Sequence, residues 1–317
     1  MGGKRKTLSV VAPFYDEGDA VFAFHSSLIT VLESLPGLDF EVICVDDGSR
    51  DDTLQKLLSL VERDPRFVVV ELSRNFGKEA ALTAGIDAAT GDAVIPIDSD
   101  LQDPPELIRD LVREWEAGAE VVLARRCDRN CDTFLKRKTA SLFYRVHNSL
   151  SSVKIPENVG DFRLIDRIVV DALKRLPEKQ RFMKGMFAWV GFRTAVVDYG
   201  RQPRSAGRTK FSGWKLWNFA LEGITSFSAA PLKFWTYFGG FCALFTSLYA
   251  LFIVLRTLIY GVDIPGYASL LVVMLFIGSL QLISVGILGE YIGSIYMETK
   301  DRPVYLVRKR HESGSLS

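Results

Sequence analysis

The sequence predicts an α/β fold with a mostly parallel, doubly wound sheet, followed by an amphipathic interface helix and a two-helix transmembrane hairpin. Three observations predict it. Short, near-continuously apolar runs recur through the first 125 residues, as suits strands buried on both faces. Helix-length segments alternate with them, and a β-α-β-α order argues for a doubly wound sheet. Two long uncharged runs then follow one another after Phe234.

The expected strands are Leu8–Ala12, Glu41–Val45, Phe67–Leu72, Ala93–Ile97 and Glu120–Leu123, β-branched-rich and nearly all apolar. Between them, Thr53–Glu62 carries Leu54, Leu57, Leu58 and Val61 at helical spacing. Gly77–Thr90 is Ala-rich and stops at Gly91, a helix-terminating signal. Pro104 and Pro105 open another helix, where a missing N–H costs nothing. Residues 125–211 are less periodic and rich in Arg and Lys, and no topology follows from them. The first domain is therefore drawn as 1–211.

Residues 212–230 gather Trp214, Leu216, Trp217, Phe219, Ala220, Ile224 and Phe227 on one broad face. Two Trp and two Phe suit a membrane interface better than a core helix. The hairpin is drawn as 231–298. Its spans, 234–255 and 267–289, run 22 and 23 residues without a charge. At about 1.5 Å per residue each covers roughly 33 Å, enough for a bilayer core. Lys233 precedes the first span, and Lys300, Arg302, Arg308, Lys309 and Arg310 follow the second, with Arg256 the one dissenting charge. The positive-inside rule then places both termini in the cytoplasm, with 299–317 a basic tail. Gly289 and Gly293 offer a close helix contact through which copies of the hairpin would associate as a homo-oligomer.

Composition removes several function classes. Lys and Arg total 39 against 38 Asp and Glu, a net charge of +1 in 317 residues, so nothing global argues for nucleic acid. The four cysteines (44, 127, 131, 242) lack an accompanying His pair and read as reduced thiols. His25, His147 and His311 are scattered, so no His-based metal site or triad has support. The apolar run after Lys4-Arg5-Lys6 ends at Pro13, too short for a signal peptide.

The chemistry lies at the strand ends. Asp98-Ser99-Asp100-Leu101-Gln102-Asp103-Pro104 follows the fourth strand directly, and in parallel sheets ligands sit at the carboxyl ends of strands. Two carboxylates two residues apart in an extended segment share a side. Such hard oxygens suit Mg²⁺ or Mn²⁺ shared with substrate phosphates. The bland alternative is an acidic turn capping the next helix. Val45-Asp46-Asp47-Gly48-Ser49 ends the second strand, where a carboxylate can accept from a base or ribose, and Gly48 permits close backbone approach. Asp51, Asp52 or Thr53 can also cap the following helix. Pro13-Phe14-Tyr15-Asp16-Glu17 ends the first strand and Arg74-Asn75-Phe76-Gly77-Lys78 the third. Four polar strand ends in a row describe a nucleotide crevice. No G-x-G-x-x-G follows the first strand, so it is not a dinucleotide fold.

These segments resemble the family-2 glycosyltransferases, and within them the polyprenyl-phosphate sugar transferases, which include dolichyl-phosphate mannose synthases and bactoprenol glucosyltransferases. The resemblance extends through Gly160-Asp161-Phe162-Arg163-Leu164, Arg181-Phe182-Met183-Lys184-Gly185, Ala188-Trp189-Val190-Gly191 and both spans. The hairpin looks most like the bactoprenol branch. The resemblance implies a Rossmann-like nucleotide-sugar fold and an inverting, metal-dependent hexosyl transfer from UDP-glucose to undecaprenyl phosphate. The setting it implies is the cytoplasmic face of a bacterial inner membrane. Alternatives are the same chemistry with an N-acetylhexosamine, mannose or formamido-arabinose, or a non-catalytic membrane scaffold. Pro13, Tyr15, Glu17, Asp46, Asp47, Asn75, Lys78 and Asp98 would line the nucleotide-sugar pocket. Asp98, Asp100 and Gln102 would hold the metal, with Asp100 and Asp161 as catalytic residues. Ser99 stands where the resemblance leads one to expect Ala, and should face away from the metal. The Gln-x-x-Arg-Trp motif of processive synthases is absent.

A lipid phosphate arrives already charged, so the nucleophile needs no general base. Cations must instead bring an anionic acceptor beside an anionic donor. Arg125, Arg137, Arg163, Arg204 and Lys210 are the candidates. Asp161 is then expected to orient the acceptor or an arginine. Residues 201–210 read as a basic loop that closes over both substrates.

Overall fold

The computed structural model describes residues 5–126, 159–179, 181, 183–200, 230–260 and 266–313. Arg137, Arg204, Lys210, Cys127, Cys131, His147, the expected closing loop and the expected interface helix lie outside the described residues.

Strand β1 (Lys6–Phe14) is flanked by β2 (Leu38–Asp46) and β4 (Ala93–Pro96), and β3 (Phe67–Leu72) adds outside β2, all four parallel. Alternation along β1 divides the core. Val10 faces one helical layer and Val11 the other, and both are fully buried. Helices α1 (Val21–Leu32), α2 (Thr53–Arg63) and α4 (Ile108–Glu116) cover the first face, bringing Phe24, Leu28, Leu57, Leu60, Leu111 and Trp115. Helix α3 (Lys78–Ala88) covers the second with small residues. A Cβ at Gly85 would sit 2.2 Å from Val11 Cγ1, so this helix lies closer to the sheet than any side chain there would allow.

The basic middle segment supplies the other half of the sheet. Strand β6 (Val159–Asp166) lies antiparallel between β4 and β5 (Val121–Arg126), and β7 (Thr194–Tyr199) pairs parallel with β5. Helices α5 (Arg167–Lys174) and α6 (Met183–Trp189) join the second core face through Val169, Val170, Met183 and Met186. The five strands and three helices expected from sequence are present. Strands β1 and β2 are longer than their apolar runs, and a short 3-10 turn at Pro105–Leu107 precedes α4.

Helix α7 (Ala230–Tyr260) has 31 residues and α8 (Tyr267–Thr299) has 33. They contain the two expected spans and leave large apolar side chains in the open, Tyr237, Phe241, Leu258 and Leu282 among them. Among the described residues one stretch, Phe276–Thr299, is long and apolar enough by itself to cross a membrane. The segment after it is more than the basic tail read from sequence. Strand β8 (Val307–His311) pairs antiparallel with β3 and completes the sheet order β7-β5-β6-β4-β1-β2-β3-β8. Side-chain contacts to Glu71 fasten it: His311 Nε2 lies 3.2 Å from Glu71 Oε2, and Arg308 Nη1 lies 3.2 Å from Glu71 Oε1. The end of α8 is fastened as well. Glu298 accepts from the Lys179 backbone N–H at 3.0 Å, and Tyr305 donates to Asp87 at 2.8 Å.

Candidate active site

The crevice is built where β1, β2, β3 and β4 end. The β1 and β2 ends are latched together. Asp16 accepts from the Arg50 N–H at 2.7 Å, Glu17 N–H donates to Thr53 Oγ1 at 3.0 Å, and Gly18 N–H donates to Asp51 at 3.1 Å. Asp51 also accepts from the Thr53 N–H at 3.0 Å, so of the three capping candidates it is Asp51 that closes the Asx turn into α2. Gly48 (φ +68°) lets the β2 loop run against the β3 loop, since a Cβ there would sit 2.6 Å from the Arg74 carbonyl carbon. Its close approach is thus to protein backbone.

Asp46 and Asp47 are both buried, and burial pushes each carboxyl above its ordinary range. Asp47 accepts from the Phe76 and Gly77 backbone N–H groups at 2.7 and 2.9 Å. It thereby sets the β3 loop and the first turn of α3. Asp46 accepts from the Ser49 N–H at 3.3 Å, while its Oδ1 is buried without a hydrogen-bond partner. Pro13 and Tyr15 are half-buried at the β1 end, and Asn75 is exposed on the β3 loop.

The Asp98–Asp103 loop is held from several sides. Ser99 Oγ donates to Glu17 Oε2, tying the β4 loop to the β1 loop. Its hydroxyl thereby engages Glu17, one of the residues expected to line the nucleotide pocket. Leu101 adopts φ +54°, a left-handed conformation disfavoured for a branched side chain. Local strain of this kind concentrates at ligand sites. Asp100 accepts from the Gln102 N–H at 3.1 Å, and Gln102 and Asp103 are buried.

Lys78, the first residue of α3, reaches across the crevice. Its Nζ lies 2.7 Å from Asp98 Oδ1 and 2.8 Å from Asp161 Oδ2. Burial raises the Asp98 pKa against the opposing pull of Lys78, with Asp161 adding to the rise. Burial works against the Lys78 ammonium, but the Asp161 and Asp98 carboxylates prevail and hold its pKa above the usual value. Asp161, from β6, is thereby brought beside Asp98.

The arginines divide. Arg163 is buried, donates to the Gly160 carbonyl at 2.6 Å, and stacks 4.1 Å over the Phe187 ring. It braces the strand that carries Asp161. Arg125 pairs with Asp198 at 2.6 and 2.8 Å on neighbouring β7. Its neighbour Arg126, on the opposite face of β5, lies 3.4 Å from Asp103 Oδ1 in the loop after β4. Tyr199 donates to Asp103, and burial together with that carboxylate pushes its hydroxyl up to about 12. The Asp103–Arg126–Tyr199 cluster does not stand out in the sequence. The one available signal is a second arginine directly after Arg125, at the end of an apolar strand.

Among the described residues no three His, Cys, Asp or Glu side chains cluster closely enough to hold a metal unaided. The donor chemistry of Asp98, Asp100 and Gln102 nevertheless fits a divalent ion. Two carboxylates and an amide carbonyl are hard oxygens, and they leave room for substrate phosphate oxygens.

Residues 9–174 match the model of "Glycosyl transferase family 2". The chain belongs to that family. The matched region is β1 through α5 and contains the crevice. An uncharacterized glycosyltransferase of Synechocystis is 54% identical, covering 95% of this chain and 94% of its own. A prophage-derived bactoprenol glucosyl transferase of Shigella flexneri is 52% identical over 97% of this chain and 99% of its own. A prophage bactoprenol glucosyl transferase homolog of Escherichia coli is 51% identical over 95% and 98%. As a family-2 glycosyltransferase the protein is an enzyme. Its likeness to these relatives runs through the middle segment and both long helices, well beyond the family-wide domain.

Proposed function

We propose that this family-2 glycosyltransferase transfers glucose, with inversion, from UDP-glucose to undecaprenyl or another polyprenyl phosphate at the cytoplasmic face of a bacterial inner membrane. The observation that carries the reading is the 52% identity to bactoprenol glucosyl transferase over 97% of the chain, long helices included. Those helices form a membrane hairpin in this reading. Strand β8 supports that arrangement. It follows α8 and pairs with β3 of the catalytic sheet, so the chain leaves the domain and comes back to it.

In this reading Asp47 shapes the donor pocket by fixing the Phe76-Gly77 turn, and Glu17, held by Ser99, forms the adjoining wall with Pro13, Tyr15 and Asp46. Asp98, Asp100 and Gln102 hold Mg²⁺ or Mn²⁺, which supplies Lewis-acid stabilisation of the departing diphosphate. The acceptor phosphate needs no deprotonation, so Asp161 orients it, or a cation beside it, and Arg163 keeps Asp161 in place. Arg137, Arg204 and Lys210 offset the acceptor's charge as it nears the donor, whereas Arg125 is turned to Asp198.

The test is one assay. Membranes carrying the protein receive undecaprenyl phosphate, Mg²⁺ or Mn²⁺ and a panel of labelled nucleotide-sugars. Lipid-linked glucose that disappears with chelator and in Asp100→Ala is the expected result. Product that needs no metal, or survives Asp100→Ala, overturns the reading. Product from a different sugar replaces UDP-glucose with that donor. The role of Asp161 is checked by pH–rate profiles. Asp161→Asn should be slower at every pH and keep the basic limb of the wild type. A limb lost in the variant, with donor binding intact, would make Asp161 a general base.

A further inference from the structure

We propose that Lys78 is a built-in counter-cation that occupies Asp98 until a divalent ion arrives with the nucleotide, and so makes metal binding depend on donor binding. The proposal rests on the reading of Asp98 as a metal ligand.

Asp98 follows β4, Asp161 lies on β6, its antiparallel neighbour, and the two converge on one point of the crevice. Two carboxylates that close repel each other in a partly dry site, so a cation between them is required for both to be charged. Lys78 is that cation. Its Nζ contacts both oxygens of Asp98, at 2.7 and 3.0 Å, and Oδ2 of Asp161 at 2.8 Å. An incoming dication therefore finds its first ligand already engaged.

The mounting of Lys78 fits release. Its backbone is fixed, because the preceding Gly77 N–H is bound to buried Asp47. Its side chain is 45% exposed and carries no part of the core, so it can swing without unpacking anything. A lysine is a compact point charge on a flexible stem, unlike the rigid fork of arginine. The diphosphate of a nucleotide-sugar supplies the negative charge that makes a second cation welcome. Asp98 would then pass to the metal, while Lys78 keeps its contact with Asp161. Without nucleotide, the ammonium and the dication compete for one carboxylate. Lys78 is in this sense a positioning residue.

The experiment measures Mn²⁺ binding to the purified full chain by electron paramagnetic resonance, with and without UDP. Lys78→Met should bind Mn²⁺ about tenfold more tightly than wild type when nucleotide is absent, and gain less on adding UDP, a coupling of ordinary size. Lys78→Arg, which restores a cation, should return towards wild type. A folded Lys78→Met whose nucleotide-free affinity is unchanged or weaker overturns the proposal. If Lys78→Met loses its circular-dichroism signature, Lys78→Gln, neutral but polar, takes its place and is held to the same two outcomes. The two readings fail separately. Wild type that binds no Mn²⁺ with UDP, or binds it equally in Asp100→Ala, removes the metal site itself. Normal coupling in wild type with no change in the Lys78 variants removes only the role of Lys78.

Discussion

Two carboxylates in one crevice are held in opposite ways. Asp47 is clamped by backbone N–H groups of Phe76 and Gly77, within a loop that Gly48 alone can accommodate. Asp98 is held by the end of a flexible lysine side chain. Backbone amides move only if the chain moves, whereas an ammonium can let go. The first arrangement fixes shape, and the second leaves a ligand exchangeable. Burial disfavours the charge of both, so the difference lies in what compensates it.

The comparison breaks most visibly at the exchangeable site. Asp98→Asn should cut glucosyl transfer by roughly a hundredfold or more, the usual scale for losing preorganised transition-state stabilisation. Its melting temperature should stay near wild type, because the Lys78 contact is partly exposed. Initial rates and thermal melts on one preparation check both halves.

The fixed site should show the reverse balance. Asp47→Asn sets an amide N–H₂ against the Phe76 or Gly77 donors and should cost about 1–2 kcal/mol of stability. Donor affinity should fall with it, while kcat at saturating donor changes less. Denaturant unfolding and a KM-against-kcat comparison test this. Equal losses of stability in Asp47→Asn and Asp98→Asn would erase the distinction.

Asp46 sharpens the contrast at smaller scale. Its carboxyl is raised by burial, and one oxygen has no hydrogen-bond partner. A carboxyl raised in the folded state contributes stability in acid, below its unfolded value, and loses it as pH rises through the folded pKa. The charged form therefore weighs on the fold at neutral pH. Asp46→Asn should raise stability by about 1 kcal/mol at pH 8, with the gain shrinking as pH falls towards 4. Melts across that range read it directly. Donor binding should weaken, the trade expected where strain serves a site.

The parallel half of the sheet was legible because its strands are buried on both faces and its helices carry clean periodicity. Val68, Val69 and Val70 announce a strand without help from any other segment. The middle half was not legible. Strand β6 reads Val-Gly-Asp-Phe-Arg-Leu-Ile-Asp, and its charged side chains find their partners outside the strand, Lys78 for Asp161 and the face of the Phe187 ring for Arg163. β8 was hidden for the same reason. Val-Arg-Lys-Arg-His reads as a solvated tail until Glu71 is placed opposite it. The Asp98–Asp100 motif was visible as a motif and Lys78 as a pocket residue, but the contact between them was not. The 20-residue separation of Lys78 from Asp98 closes only when α3 turns back along the sheet.

Strand β8 also sets an order of manufacture. Residues 67–72 are wholly buried, yet their outer edge is covered by a strand made more than 230 residues later. Throughout synthesis of the intervening chain, β3 is an apolar edge able to pair with a neighbour. The sheet is sealed only once the chain has been made through His311, beyond both long helices. A chain cut after Thr299 would keep every residue of the crevice and still leave that edge open. Closure of that edge therefore depends on a segment that lies beyond both long helices.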